Sequence, residues 1–395
     1  MSIFSVPAKI LTGEQALAEA APFFRQMGAR ALVVTGRHTV TTPFFAELAA
    51  ILKENGLTYT IYSDITGEPT ISMVEEGVRA YRRADCDFLI GIGGGSPLDA
   101  AKAIAAMLTN PGRLSDYLGR EITNPTPPIA AIPTTAGTGS EATRFTIITD
   151  EATDTKMLLK GDVLLPSLAV VDYRTSVTMP PALTAATGLD ALTHAVEAYT
   201  SRRATPLTDT LAVSAVRRIL TALPAAYRNP ADTDARRELS LAALEAGICI
   251  NNSSVTIVHG MSRPIGALFH VPHGLSNAML LPVCLRGVMD GALSRFAALS
   301  RAAGCSADPS DGTAADALLQ ALEDVCRICE VPSFAAYGIA HEAFEAAIEK
   351  MSADAIASGS PANCHKTVTA ADCARLYRAA WNAGQRETAL FQGSK

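Results

Sequence analysis

The chain has 395 residues, of which 48% are hydrophobic and 18% are charged, and its formal net charge is −6. This length and apolar content predict two or three domains with a large core, and they exclude a disordered protein. The charges form no block of one sign, so neither nucleic acid nor an anionic membrane is an expected partner.

The N-terminus and the cysteines both favour a cytoplasmic protein. The opening residues MSIFSVPAKILTGEQAL contain no basic segment followed by an apolar run, so they predict no secretory signal. No apolar run reaches the roughly 18 residues that a membrane helix needs. The eight cysteines are scattered, and the one close pair, Cys326 and Cys329, lacks the second pair of a zinc site. We therefore expect reduced thiols.

The first part of the chain alternates short apolar runs with segments of helical spacing. This order predicts an α/β domain with a parallel sheet covered on both faces, as in Rossmann-like folds, over residues 1–179. Beyond Pro180 the sequence is rich in Ala and Leu, which predicts an all-helical domain over residues 180–395. The predicted strands are 31–36, 58–63, 87–92 and 129–134, and the predicted helices are 14–28, 43–56, 71–84 and 97–109.

The third predicted strand runs into three glycines in DFLIGIGGGSPLDAAKAIAAML, residues 87–108. Ser96 is a suitable N-cap for the next helix, and Pro97 suits its first turn. Bare glycine backbone followed by a helix N-terminus is a favourable site for a pyrophosphate. The alternative is a tight turn without a ligand, because the spacing is not the usual dinucleotide fingerprint.

A second loop, IPTTAGTGSEAT, follows the fourth predicted strand at residues 132–143. Its hydroxyl groups and free backbone amides suit the phosphates and ribose of a nucleotide, although a simple Ser/Thr-rich loop has the same composition. Two such loops, each at the end of an apolar strand, favour a nucleotide more than either does alone.

Four residues have the chemistry of a metal site. Asp190 and His194 lie four apart in TGLDALTHAVEAY, residues 187–199, and so share one face of a predicted helix. The alternatives are a capping box for Asp190, three residues after Thr187, and a core position for His194.

His259 and His273 fall in a segment unusually rich in histidine. His259 lies in a helix-like stretch, residues 253–269, that Pro264 must start, kink or end, and His273 is expected in a tight turn at residues 271–274. One carboxylate and three imidazoles suit a divalent transition metal such as iron or zinc. The alternative is that the histidines pack in a helical core. His270 is a further candidate by proximity.

Five motifs, in this order, resemble those of the iron-dependent (group III) alcohol dehydrogenases, and the resemblance spans nearly the whole chain. They are FSVPAKILTGEQAL (4–17), GGGSPLDAAKA (93–103), PTTAGTGSE (133–141), GLDALTHAVEAY (188–199) and HGMSRPIGALFHVPHG (259–274). The resemblance implies a dehydroquinate synthase-like architecture, with an N-terminal dinucleotide-binding domain and a helical C-terminal domain.

The resemblance also implies roles for individual residues. The metal, Fe²⁺ or Zn²⁺, would be held by Asp190, His194, His259 and His273. The contacts of NAD or NADP would be Gly36, Gly94, Gly95, Ser96, Asp99, Thr134, Thr135, Thr138 and Lys156.

The sequence departs from the family after the first predicted strand, in VVTGRH, residues 33–38. Many NAD-specific members have an acidic residue where Gly36 stands, and Arg37 follows. Loss of the acid removes repulsion against a 2′-phosphate, so the sequence tolerates NADP. The alternative for Arg37 is a solvated loop residue.

The second departure is Arg263, which stands where the family often has a histidine near the nicotinamide and the substrate. Arginine is permanently charged and forms a planar fork for oxyanions, so we hypothesise a substrate that carries an anionic group. The alternatives are a salt bridge to an internal acid and a contact to the cofactor phosphates. His270 then becomes a candidate proton relay, with a structural role as the alternative.

These features predict hydride transfer between NAD(P)(H) and a small alcohol or aldehyde. The resemblance implies that the enzyme is a homodimer or larger homo-oligomer. The rival hypotheses are a glycerol dehydrogenase-like polyol oxidoreductase, a dehydroquinate synthase-like lyase and a non-catalytic nucleotide-binding protein. The lyase would need several basic residues around a polyanionic substrate, and the segments around these motifs are poor in lysine. A non-catalytic protein would have no need of a complete ligand set.

Overall fold

The computed structural model describes residues 3–392, with side chains described as far as residue 383. Contacts divide the chain into two compact units, one formed by Phe4–Thr178 and the other beginning at Met179. The sequence analysis placed the division one residue later, after residue 179.

The first unit is built on a six-stranded parallel sheet with the order β1-β8-β5-β4-β2-β3, and it also contains an antiparallel hairpin, β6-β7. The strands are β1 (Lys9–Thr12), β2 (Arg30–Val34), β3 (Thr58–Tyr62), β4 (Phe88–Gly93), β5 (Ile129–Pro133), β6 (Phe145–Asp150), β7 (Thr155–Lys160) and β8 (Leu168–Val171). The predicted parallel α/β sheet is confirmed, and the four predicted strands are β2 to β5. The sequence analysis did not predict β1, β8 or the hairpin.

Alternating side chains of the central strands enter two separate cores. In β2, Val33 packs on one face of the sheet with Leu17 and Phe24. Its neighbour Leu32 packs on the other face with Ile104 and other residues of the helices there. Since successive side chains of a strand point to opposite faces, a strand buried on both sides is continuously apolar. This explains why β2 and β4 were recognisable in the sequence.

The helices of the first unit cover both faces of this sheet. They are α1 (Ala16–Glu19), α2 (Ala21–Met27), α3 (Arg37–Val40), α4 (Pro43–Glu54), α5 (Ile71–Arg83) and α6 (Gly95–Thr109). The single helix predicted for residues 14–28 was wrong, since it is broken into α1 and α2 at Ala20. Pro22 follows the break in the first turn of α2, where a missing N–H costs nothing.

The chain reverses its direction across the sheet between β2 and β4. From β2 it passes outward to β3, and β4 then returns to the opposite side of β2. In open parallel sheets, ligands bind outside the carboxyl ends of the strands at such a switch point. Here those ends lead into Gly36 after β2 and into Gly93–Gly95 after β4.

The second unit is helical, as predicted, and residues 179–392 contain no strand. Its helices are α7 (Pro181–Thr200), α8 (Pro206–Arg228), α9 (Thr233–Asn252), α10 (Ile257–Phe269), α11 (His273–Val288), α12 (Leu293–Ala303), α13 (Asp311–Ile328), α14 (His341–Ala357) and α15 (Ala370–Gln392). Within residues 3–392, no single helix has the length and hydropathy of a membrane span. Only α9 and α10 together pass that test, with a bend of 102° between them.

A buried polar cluster connects α6 to the segment before the hairpin. Lys102 is fully buried and donates hydrogen bonds to Ser140, Thr143 and the carbonyl of Phe145. Burial lowers the pKa of Lys102 to about 8, although neighbouring carboxylates oppose this shift. Glu141 is also buried, and its Oε2 has no hydrogen-bond partner among the described residues. Burial raises the pKa of Glu141 to about 7.

The Glu141→Gln substitution should change how stability depends on pH. The pKa of about 7 in the folded protein is higher than the ordinary glutamate pKa of 4.5. The carboxyl therefore contributes stability below pH 4.5 that is lost as pH rises through 7. Glutamine cannot titrate. Relative to the parent protein, the variant should therefore gain roughly 1–3 kcal/mol between pH 5 and pH 8. Urea unfolding of both proteins at the two pH values measures this, and parallel pH profiles would contradict it.

Candidate metal centre and cofactor loops

Three helices of the second unit supply the predicted metal ligands. Asp190 and His194 lie on α7, His259 on α10, and His273 is the first residue of α11. Asp190, His194 and His259 are buried, whereas the His273 side chain is 38% exposed. One ligand of the set therefore remains accessible while the others are enclosed by the helices.

The ligand atoms converge on one carboxylate oxygen. Asp190 Oδ1 lies 3.8 Å from His194 Nε2, 3.6 Å from His259 Nε2 and 3.7 Å from His273 Nε2. Ligand atoms at the corners of a tetrahedron lie about 3.4 Å apart when metal–ligand bonds are about 2.1 Å long. The ligand atoms of Asp190, His259 and His273 all lie within 4.8 Å of one another, as in a metal site. His194 adds a third imidazole close to Asp190, and one carboxylate with three imidazoles suits a divalent transition metal.

Asn277 packs against the ligand atoms through its amide group. It lies one turn after His273 on α11, and its Nδ2 is 2.7 Å from Asp190 Oδ1 and 3.2 Å from His259 Nε2. Its own Oδ1 is fully buried and has no hydrogen-bond partner among residues 3–383. A buried carbonyl oxygen without a partner costs free energy, so the polar atoms of this centre are incompletely satisfied by the protein alone.

The electrostatics favour the metal-binding form at Asp190 and oppose it at His259. Burial by itself would raise the pKa of Asp190, but the imidazoles of His194, His273 and His259 hold it well below its usual range. At His273 desolvation outweighs the effect of Asp190 and lowers the pKa, although part of the side chain is exposed. At His259 burial would lower the pKa, but the carboxylates of Glu197 and Asp190 raise it above its usual value. A metal binds the carboxylate and the neutral imidazole, so its binding would displace a proton from His259.

Glu197 is a site residue that the sequence analysis missed. It is fully buried on α7, and its Oε2 lies 2.6 Å from His259 Nδ1. Its Oε1 accepts hydrogen bonds from Thr256 Oγ1 and the backbone N–H of Val258. With a proton on Nδ1, the Nε2 lone pair of His259 faces Asp190. The spacing of Asp190, His194 and Glu197 along one helical face was the available signal.

Two expectations about local structure were wrong. Thr187 and Asp190 lie inside α7, and Thr187 Oγ1 donates to the carbonyl of Leu183, so they form no capping box. His273 was expected in a tight turn, but it begins α11 after Pro272. The proline precedes the helix, where it disturbs no helical hydrogen bond.

Arg263 and His270 have different positions relative to this centre. Arg263 lies on α10 one turn after His259, is partly buried, and donates to Ser360 Oγ at 3.0 Å. His270 ends α10 in a left-handed conformation, with φ of 54° and an exposed side chain. The structure does not group His270 with the converging ligands, and its role as a proton relay stays a prediction.

The two predicted cofactor loops lie together at the carboxyl ends of β4 and β5. A Cβ added to Gly95 would lie 2.9 Å from Thr138 Cγ2, and one added to Gly94 would lie 3.5 Å from Thr135 Cγ2. Only a glycine fits at residue 95 without a shift. The predicted contact residues are partly accessible within loops that are otherwise mostly buried; they are Gly94, Gly95, Ser96, Thr134, Thr135 and Thr138.

The start of α6 has free donors for an anion. The prediction that Ser96 caps this helix was wrong, because α6 begins at Gly95 and its N-cap is Gly94. No side chain caps this helix, so its first N–H groups have no side-chain acceptor. Such an N-terminus, reached through glycine backbone, fits the pyrophosphate of a dinucleotide.

Two other predicted cofactor contacts have partners within the protein. Asp99 accepts from Ser140 Oγ at 2.6 Å and from the N–H of Ile147 at 2.9 Å, which holds α6 against β6. Lys156 on β7 forms an ion pair of 2.6 Å with Glu68. A direct contact of either residue with the cofactor stays a prediction.

The residues after β2 bring an acid that the sequence analysis did not consider. Gly36 forms an isolated bridge with Asp64, and Arg37 forms an exposed ion pair of 2.8 Å with the same aspartate. Arg37 therefore does not act as an isolated positive charge, and the local balance of charge depends on both residues.

Comparison with known proteins places both units in one family. The family model described as iron-containing alcohol dehydrogenase matches residues 7–173, and the model for the C-terminal part of the Fe-containing alcohol dehydrogenase family matches residues 184–381. Together they cover most of the chain.

Individual relatives agree. The NAD-dependent methanol dehydrogenase of Bacillus methanolicus is 35% identical over 96% of this chain and 99% of its own length. The lactaldehyde reductase of Escherichia coli K12 is 36% identical over 89% of this chain and 92% of its own. The crystal structure of a 1,3-propanediol oxidoreductase superimposes with a TM-score of 0.93 at 32% identity, over 96% of this chain and 100% of the other. The chain therefore belongs to the iron-containing alcohol dehydrogenase family and is an oxidoreductase of that type.

Proposed function

We propose that this enzyme transfers a hydride between NAD(P)(H) and a small primary alcohol or aldehyde at a metal centre held by Asp190, His194, His259 and His273. The observation that carries the proposal is the position of Asp190 Oδ1, which lies within 3.8 Å of all three imidazole Nε2 atoms. An alcohol dehydrogenase needs a Lewis acid with an open position for the substrate oxygen, and a metal that takes more than four ligands, such as Fe²⁺, would keep one beside this set.

A divalent metal bound there would supply Lewis acidity toward the substrate oxygen, which stabilises an alkoxide or polarises a carbonyl. Asp190 offsets part of the cation charge, and Glu197 fixes the orientation of the His259 ring. In the direction of reduction, hydride passes from NAD(P)H to the carbonyl carbon, and the carbonyl oxygen takes a proton from water. The N-terminus of α6 and the glycine loop position the pyrophosphate.

The finer parts of the proposal are supported by chemistry and by the family. The metal is Fe²⁺, with Zn²⁺ as the alternative, because both accept one carboxylate and three imidazoles. The cofactor is NAD or NADP. None of the eight cysteines forms a disulfide, which supports a cytoplasmic location. We also propose that the enzyme is a homodimer or larger homo-oligomer. Its substrate carries an acidic group that lies near Arg263.

Membership of the family excludes the non-catalytic nucleotide-binding protein among the rivals. A polyol substrate of the glycerol dehydrogenase kind is the second candidate function. Because His273 is partly exposed, a substrate can reach the centre there. This exposure is compatible with both a simple alcohol and a polyol.

The first test removes metal ligands. Asp190→Asn and His273→Ala should each weaken Fe²⁺ binding at least about tenfold and abolish NADH oxidation with propanal, because each removes one donor from the set. Metal content after dialysis and initial rates measure both effects, with reconstitution by Fe²⁺ and by Zn²⁺ compared in parallel. His365→Ala, at an exposed histidine, is the matched control. Full metal content in the two ligand variants would contradict the assignment.

The second test concerns Glu197. Glu197→Gln retains an acceptor for Thr256 but loses the charge beside His259, so metal affinity should fall by about 10- to 100-fold. Competition between the protein and a chelator for Co²⁺ measures the affinity without any use of activity. Unchanged Co²⁺ affinity in a variant with an unchanged Tm would show that Glu197 has only a packing role.

The third test concerns the choice of cofactor. Asp64→Asn leaves Arg37 without its ion-pair partner and removes a negative charge, so the ratio of kcat/KM for NADPH over NADH should rise several-fold. Arg37→Ala should lower the same ratio. The effects should be modest at physiological salt because the pair is exposed. Equal ratios in all three proteins would place the 2′-position of the cofactor away from this pair.

A further inference from the structure

Arg263 faces the same side of α10 as the metal ligand His259, since the two residues are four apart in a continuous helix. Arg263 is partly buried. Among the residues described with side chains, its one hydrogen bond is donated to Ser360 Oγ at 3.0 Å. Ser360 is itself 5% exposed, so this contact fixes the position of the guanidinium in a site with little water.

Other enclosed arginines of the second unit are much better satisfied. Arg236 is fully buried and donates to Thr184 Oγ1 and to two backbone carbonyls. Arg295 is partly enclosed, and Asp209 pairs with it at 2.6 Å. Among the residues described with side chains, Arg263 has neither a carboxylate partner nor more than one hydrogen bond. A guanidinium has five N–H donors, so most of its donors have no protein acceptor.

The salt bridge to an internal acid that the sequence left open is therefore absent from the part of the chain with described side chains. The carboxylate that acts on Arg263 electrostatically is that of Glu197. Both oxygens of Glu197 are already committed, one to His259 and the other to Thr256 and the N–H of Val258. No hydrogen bond joins Glu197 to the guanidinium among the described side chains.

The positive charge of Arg263 has no hydrogen-bonded carboxylate among the residues described with side chains. A partly buried positive charge in this position is stabilised by an anionic group that approaches with its own acceptor oxygens.

We infer that Arg263 binds an acidic group of the substrate, so that the preferred substrates are short aldehydes or alcohols that carry a carboxylate, sulfonate or phosphonate. This inference rests on the proposed function and names its substrate class. The planar fork of arginine matches two oxygens of such a group, whereas a neutral alcohol offers no comparable acceptor.

Arg263 and His259 are close along the chain. One turn of α10 separates them, a rise of about 6 Å along the helix axis. The substrates to test first are therefore short acidic aldehydes. Reduction consumes NAD(P)H and a proton and yields NAD(P)⁺ and the hydroxy acid, with the acidic group unchanged.

The test compares two aldehydes of matched length, succinic semialdehyde and its neutral methyl ester, methyl 4-oxobutanoate. The metal-loaded parent enzyme should favour the acid in kcat/KM by at least about tenfold, since a hydrogen bond to a charged group is worth about that much. Arg263→Gln should lower this ratio about 10- to 100-fold, mainly through KM for the acid, and should change the ester far less. Arg263→Lys should retain part of the preference because it keeps the charge.

Two further measurements separate the ways in which the test can fail. Succinate should compete with propanal in the parent enzyme and not in Arg263→Gln, and Arg217→Gln, at an exposed arginine, should behave like the parent. Equal acid-to-ester ratios in the parent enzyme and Arg263→Gln would overturn the inference while leaving the dehydrogenase intact. A rise in KM for NADPH in place of KM for the acid would also overturn it, since the guanidinium would then serve the cofactor phosphates. Failure of the parent enzyme on all three aldehydes would instead reject the proposed function.

Discussion

The second unit is organised around the burial of one carboxylate. Asp190 is 3% exposed, and removing a charge from water to this extent is unfavourable unless other charges or hydrogen bonds replace the lost hydration. Three imidazoles and the amide of Asn277 surround its Oδ1. Helices α7, α10 and α11 must therefore keep a fixed register, because a shift of any one by a single residue would turn its ligand away from this oxygen.

Polar side chains beyond the ligands are also paired with hydrogen-bond partners. Glu197 fixes His259 and is in turn held by the start of α10, so one side chain both orients a ligand and satisfies a helix N-terminus. Arg263 is the exception in this unit. Among the residues described with side chains, it has one hydrogen bond, to Ser360, and no carboxylate partner, whereas Arg236, which holds helices together, has three acceptors.

In the first unit the corresponding constraint is the close approach of the Gly95 backbone to the Thr138 side chain. The two loops follow the adjacent strands β4 and β5, and a Cβ at residue 95 would lie 2.9 Å from Thr138 Cγ2. Beneath these loops Lys102 is buried and donates to Ser140 of the second loop, and the partly buried Asp99 of α6 accepts from the same hydroxyl. These contacts hold the second loop against α6. The polar atoms at the surface of these loops are thereby left available to a nucleotide.

The sequence by itself determined the alternation of buried strands and helices, the helical character beyond Pro180, and the identity of the candidate ligands, because these follow from local periodicity and residue chemistry. It did not reveal β1 and β8, which are four residues long and are defined by pairing with distant strands. It also failed on Ser96 and on the turn at His273, since helix starts depend on backbone contacts beyond the local sequence. Only the tertiary structure could show that Glu197 reaches His259, 62 residues away, and that no carboxylate among the described side chains forms an ion pair with Arg263, because both depend on how separate helices pack.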